Sequence, residues 1–277
     1  MRRSIRFFVF AAVLAGLVAP ERACAEMRPA KGAKDQGSDL PILVTLIGLG
    51  ARFRNIHLEL ADREGDSADR SFETGAYFDF AWHLLLRPMS RRSPRASVQA
   101  IVFQIDGGAG IGLKAEAASG IELQTNTWRM LGQLGYLYPI GRLQVGGLAG
   151  LGGDVFKIDL NSILPSSRLL YARLGPALVY EVVAKLLGFR ADFGLRFPFS
   201  FGELDDAFGM DSSGIGVDGA LAVEGRLERG FSYGVRFVWE YYRLRFSGSS
   251  MEVPAKAYGG DGKDHALTIQ LLLGWSL

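Results

Sequence analysis

Apolar and polar residues alternate along most of this chain from Pro41 onward. Between positions 72 and 87 the even residues are Phe72, Thr74, Ala76, Phe78, Phe80, Trp82, Leu84 and Leu86, while the odd ones include Glu73, Asp79, His83 and Arg87. Between 189 and 201, Phe189, Ala191, Phe193, Leu195, Phe197 and Phe199 alternate with Arg190, Asp192 and Arg196. Segments 215–228 and 231–242 repeat the pattern. A period of two held over ten or more residues predicts a long strand with one oily face. Nothing after the N-terminal segment competes as an amphipathic helix.

Ten such segments are read, at 43–60, 71–87, 97–114, 121–138, 142–153, 168–183, 188–201, 214–228, 231–246 and 265–277. The connections 138–142, 184–188 and 228–230 are tight, whereas 154–167, 202–213 and 247–264 are longer and polar. Alternation of short and long connections is the pattern of a closed transmembrane barrel. The predicted fold is therefore an all-β, closed antiparallel transmembrane β-barrel over 41–277, with about ten strands (eight to twelve). Segment 88–96, with Arg91, Arg92 and Arg95, falls on the short-turn side although it is long for a turn. Pro176 removes a ladder hydrogen bond in a sheet without a free edge, which predicts a bulge there.

The aromatic residues support lipid rather than a second sheet as the partner of the oily faces. Tyr136, Tyr138, Tyr180, Phe189, Phe231, Tyr233 and Trp275 lie on apolar parity beside the short turns or the last residue. Phe72, Trp128, Phe197, Phe199, Trp239 and Tyr241 sit at the other strand ends. Two aromatic belts suit two membrane interfaces, whereas a sandwich core would bury its rings at mid-strand.

The other face supplies a lumen of mixed charge. Arg52, Lys114, Arg129, Arg173, Arg190, Arg196, Arg226 and Arg236 stand against Asp79, Asp106, Glu181, Asp192, Asp218, Glu224 and Glu240. In a narrow barrel these side chains are expected to pair across the interior and fill it, which argues against a wide porin. Glycine runs at 107–112 and 146–153 open no helix and lack the Walker Lys-Ser/Thr, so they are read as sites of strand bending and close packing. His57, His83 and His265 have no second ligand at metal spacing. His83 and Asp79, four residues apart on a strand, are separated by roughly 13 Å and cannot pair. No catalytic, cofactor-binding or metal-binding set is identified, and no cofactor is expected.

The first 25 residues change the charge picture. Arg2, Arg3 and Arg6 precede an apolar stretch from Phe7 to Ala19, and Ala23 and Ala25 flank Cys24, which reads as a secretory signal cleaved before Glu26. The apolar stretch is short for a retained anchor, and Glu21 and Arg22 do not fit lipoprotein processing at Cys24. Of 31 Lys+Arg and 29 Asp+Glu, the signal holds Arg2, Arg3, Arg6 and Arg22 against Glu21, so 27 basic and 28 acidic residues remain and nucleic-acid binding has no support. The sole cysteine leaves with the signal, so no disulfide is expected. Residues 26–40 read as a flexible periplasmic lead-in.

The export signal, the alternating strands, the short and long connections and the closing strand DHALTIQLLLGWSL resemble the outer-membrane β-barrel proteins of Gram-negative bacteria over 41–277. That resemblance implies a monomer in the outer membrane, in contact with lipid and lipopolysaccharide, with both termini periplasmic. It also implies that the last strand is read by the barrel-assembly machinery. The class pattern ends in an aromatic residue, whereas this chain has Leu277 with Trp275 two positions earlier on the same face. The implied role is structural or a narrow passive pore. Alternatives are a rim-active protease or lipid A hydrolase, and an adhesin or receptor acting through its loops. The ten-strand count is similar to the omptin proteases, but Asp205 and Asp206 lie in a loop and the adjacent Asp264 and His265 would point to opposite faces. N-terminal sequencing of the exported protein should begin at Glu26; a chain retaining residues 1–25 would overturn the signal.

Overall fold

The computed structural model describes residues 40–61, 67–90, 96–111, 114–116, 122–158, 165–209, 211–248 and 259–277. The signal, the lead-in apart from Leu40, and Arg91, Arg92 and Arg95 lie outside the described residues. The strands are β1 (Leu43–Ala61), β2 (Ser67–Leu86), β3 (Ile101–Ile111), β4 (Lys114–Glu116), β5 (Glu122–Ile140), β6 (Leu143–Ile158), β7 (Ser167–Val183), β8 (Leu187–Ser200), β9 (Ser213–Arg226), β10 (Phe231–Ser247) and β11 (Gly259–Ser276). Each pairs antiparallel with its neighbour, and β1 pairs with β11 from Val44↔Ser276 to Leu60↔Gly260, which closes the sheet. β3 and β4 pair with successive parts of β5 and make one wall between them, so the barrel has ten walls. Closure pairs β2 on both sides over Phe78–Leu86, within the apolar band, as a sheet in hydrocarbon requires, whereas among the described residues Ser67–Tyr77 pair with β1 alone.

Two short helices interrupt the all-strand reading. α1 (Ala96–Gln99) replaces the start expected for the third strand. α2 (Glu203–Phe208) occupies the connection between β8 and β9 and buries Leu204, Ala207 and Phe208. Pro176 makes no bulge: the β7–β8 ladder skips Gly175 and Pro176 and resumes in the same register, from Leu174↔Leu195 to Ala177↔Asp192. One missing N–H interrupts the bonding locally without inserting a residue. A register shift does occur between Arg52 and Arg54 against β2, and it turns Phe72 inward, where its ring meets Phe156 edge-on at 5.2 Å. Phe72 therefore leaves the outer belt.

The exterior carries a band of exposed apolar side chains, among them Ile47, Leu49, Phe78, Leu134, Leu221, Leu271 and Leu273. On β10 it runs from Phe231 to Tyr241, eleven residues, which matches the nine to eleven that a tilted strand needs to cross hydrocarbon. Beyond the band polarity inverts at constant parity. On β1 the outward residues become Asn55, His57 and Glu59, while the inward ones become Ile56, Leu58 and Leu60. On β10 Arg243 and Arg245 face out while Tyr242, Leu244 and Phe246 are buried inside. The strands thus outrun the apolar band at the end bearing the long connections, here the loop end; the opposite is the turn end.

Glycines admit the long lumen side chains. A Cβ at Gly108 would meet the Arg129 guanidinium at 2.6 Å, and one at Gly146 would overlap the Tyr136 carbonyl oxygen on the neighbouring strand. Backbone cannot yield as a side-chain tip does, so Gly146→Val should destabilise the barrel by about 3 kcal/mol, at the upper end of overpacking costs. Urea midpoints of the refolded protein would read this, and an unchanged midpoint would contradict the close approach.

Candidate functional site

The inward residues stack in layers. At the loop end Ile56, Leu58, Leu60, Phe72, Tyr77, Phe156, Ile158, Leu169, Tyr171, Tyr242, Leu244 and Phe246 form one apolar core, closed by Phe201 and by Leu204 and Phe208 of α2. Phe208 packs edge-on against Phe246 at 5.6 Å. Two positions nearer the turn end on the same strands comes a charged layer: Arg54 below Ile56, Asp79 below Tyr77, Asp154 below Phe156, Arg173 below Tyr171 and Glu240 below Tyr242. The layers join through cation–π contacts, with Arg54 at 4.8 Å from the Phe156 ring and Arg196 at 4.6 Å from the Tyr171 ring.

One connected run of ion pairs crosses the lumen. Asp264 holds Arg54 (2.6 Å), Arg54 and Arg52 share Asp154 (both 3.3 Å), and Arg52 reaches Glu240 (2.8 Å). Glu240 also pairs with Arg196 (2.9 Å), Arg196 with Asp218, and Arg173 bridges Asp218 (2.8 Å) and Asp192 (2.6 Å). Four guanidiniums meet five carboxylates, so this run leaves no cation over. Beside it Arg129 grips Asp79 through two 2.6 Å bonds, and Gln270 donates to the same carboxylate at 3.0 Å. Asp106 takes Arg236, Gln104 and His83, the last at 2.7 Å. One cavity among these groups has about 50 Å³, room for roughly three waters.

Of the lumen residues expected from the sequence, Asp79, Asp106, Arg129, Arg173, Asp192, Arg196, Asp218, Arg236 and Glu240 are brought together here. Arg190 stands apart near the turn end, bonded to Gln104. Glu181 does not join: it is exposed and accepts the Lys185 backbone N–H at 3.1 Å. Glu224 and Arg226 are half-buried near the turn end, outside the run, and the Lys114 side chain lies outside the described residues. Arg54, Asp154 and Asp264 were missed. Asp154 and Asp264 fall in the segments 154–167 and 247–264 that the sequence reads as long connections, yet both are buried inside the barrel wall. Continued alternation through Asp154, Phe156 and Ile158 was the available signal, hidden because polarity inverts there. His83 is barred from Asp79 by distance and instead pairs with Asp106, its direct cross-strand neighbour.

Apart from Phe72, the residues of the two expected belts project outward: Tyr136, Tyr138, Tyr180, Phe189, Phe231, Tyr233 and Trp275 toward the turn end, and Trp128, Phe197, Phe199, Trp239 and Tyr241 toward the loop end. Trp239 and Tyr241 stack at 6.4 Å, and Phe231 meets Trp275 edge-on at 6.4 Å. His57 and His265 also face outward, on the far side of the wall from Asp264. Among the described residues, no group of three or more His, Cys, Asp or Glu is placed to hold a metal ion.

No protein-family model matches the sequence, and no curated protein sequence matches it. Solved structures do resemble the fold. The outer membrane protease OmpT from Escherichia coli superposes with a TM-score of 0.55 at 8% identity, over 85% of this chain and 96% of that one. An outer membrane channel from Pseudomonas putida F1 gives a TM-score of 0.40 at 10% identity, over 86% and 98%. A FadL homologue from Pseudomonas aeruginosa gives 0.33 at 7%, over 86% and 91%. By its closed ten-walled sheet, the chain has the fold of the outer-membrane β-barrels of Gram-negative bacteria.

Proposed function

We propose that this protein is a sealed outer-membrane barrel, structural in role, whose lumen does not conduct and whose contacts are made from its outer surface. The observation that carries this reading is the double filling of the lumen: an apolar core at the loop end above a crossing run of ion pairs with a cavity of about 50 Å³ among them. A passive pore needs a continuous water path, and here an ion would have to displace packed aromatic rings and then paired charges.

In this reading the turn end faces the periplasm, the loop end faces outside, and the signal is removed on export. The barrel is a monomer inserted by the assembly machinery through its last strand. Lipopolysaccharide fits as the lipid partner because Arg243, Lys263 and His57 form one cross-strand row on the exterior, just beyond the Trp239 and Tyr241 rings. Such a row suits phosphate groups at the outer interface.

The hydrolase alternative draws on the likeness to OmpT, which is one of fold. The geometry offers it little: His57 and His265 face away from the lumen, and Asp264 is held by Arg54. A loop-borne adhesin would act through the connections 154–167, 202–213 and 247–264, of which 159–164, 210 and 249–258 lie outside the described residues.

In a planar bilayer the purified protein should give no conductance steps, and large stable steps would overturn the sealed reading. Asp154→Ala would leave Arg54 with only Asp264 and Arg52 with only Glu240. It should lower stability by about 3–5 kcal/mol, the cost of breaking a buried pair. The refolded variant should stay electrically silent because the apolar core is untouched. Cleavage of a peptide or of lipid A by the wild-type protein would favour the hydrolase.

A further inference from the structure

The turn end of the lumen holds two arginines outside the ion-pair run. Arg87 directly follows β2 and Arg190 is near the start of β8; both are only 4% exposed. The pairing register sets Gln144, Val179 and Arg190 in one row across β6, β7 and β8. Arg87 reaches the same row by donating from Nη2 to Gln144 Oε1 at 2.9 Å. Arg190 donates from Nη2 to Gln104 Oε1. Leu85, Val102, Leu137 and Leu148 are buried around them, with the half-buried Glu224 near Arg87 and Asp106 bonded to Gln104.

Neither guanidinium has a carboxylate partner among the described residues, in contrast to every arginine of the crossing run. Arg87 Nε, Arg87 Nη1 and Arg190 Nε are buried without any acceptor. Burial first, and then the Arg190 charge, bring Arg87 down to about 10, with Glu224 acting the other way. Two like charges in an apolar setting repel one another, and each unmet donor adds its own desolvation cost. Three unmet donors on two cations suit a tetrahedral oxyanion, which offers more acceptors than a carboxylate.

We propose that Arg87 and Arg190, oriented by Gln144 and Gln104, form a binding site for a phosphoryl oxyanion at the turn end of the lumen. The anion supplies the directly bonded counter-charge that neither Glu224 nor Asp106 gives these two guanidiniums, and it neither enters nor crosses the filled half of the barrel. Its source is free phosphate or a phosphate-monoester lipid headgroup, which present the same chemistry to the two guanidiniums.

The test uses the full chain folded in an uncharged glycoside detergent free of phosphate. Inorganic phosphate at 100 times its Kd should raise the melting midpoint by about 5 °C or more over chloride at matched ionic strength. That shift should vanish in Arg87→Gln and in Arg190→Gln. If a glutamine variant does not refold, Arg87→Lys and Arg190→Lys keep the charge, lose donors and should reduce the shift. In a second arm, phosphatidylcholine vesicles with and without phosphatidic acid are compared in phosphate-free buffer. An arginine-dependent shift with phosphatidic acid alone assigns the headgroup; one with free phosphate assigns the ion. No shift in either arm, or a shift that persists in all the variants, would overturn the site.

Discussion

Closure of the β1–β11 ladder is the constraint on which the rest depends. Once the sheet is a cylinder, each strand has a partner on both sides along the apolar band and every side chain is committed by parity to the lumen or to the exterior. A residue cannot choose its solvent; only the sequence can change polarity at fixed parity. The chain does so at the loop end, where His57, Glu59, Arg243 and Arg245 take over the exterior and Leu58, Leu60, Leu244 and Phe246 take over the interior. One cylinder thus serves two surroundings, hydrocarbon along the band and water beyond it.

The narrow interior follows from the wall number, and filling it imposes a second constraint. Long side chains projecting from ten walls converge, so glycines such as Gly108 beside Arg129 and Gly194 beside Arg173 must give way to them. Arginine suits this space because its planar fork can hold two carboxylates from different strands, as Arg173 holds Asp192 and Asp218. The ion pairs gain little net energy over apolar packing, but breaking any one strands a charge in a dry interior. The charged layer therefore fixes the shape of the wall around it more than it adds to stability. Arg87 and Arg190 depart from that rule, which is why they stand out.

The strands and their outward faces were legible along the apolar band, though not in the loop-end extensions of β6 and β11, because a period of two survives any tertiary arrangement. So were both aromatic belts apart from Phe72, since rings at strand ends on apolar parity need only the strand ends to be placed. The lumen list was partly legible: Asp79, Arg173, Asp218 and Glu240 lie where the exterior is apolar and the contrast between faces is sharp. Asp154 and Asp264 were not legible, because at their level the exterior turns polar and alternation reads as a loop. Phe72 was misread through one shift in pairing register, which flips parity without marking the sequence. Pro176 was expected to bulge, but a missing donor does not require an extra residue.

The sequence by itself determined the class of fold, the outward face of the strands along the apolar band and the mixture of charge within, because these follow from local alternation and composition. Only the tertiary structure decided which arginine meets which carboxylate, since partners such as Arg54 and Asp264 are brought together by closure and lie 210 residues apart. It also decided how the inward side chains stack, an apolar core at the loop end over the run of ion pairs. Whether ten walls of side chains leave a channel depends on how they interlock in three dimensions, which no one-dimensional pattern encodes.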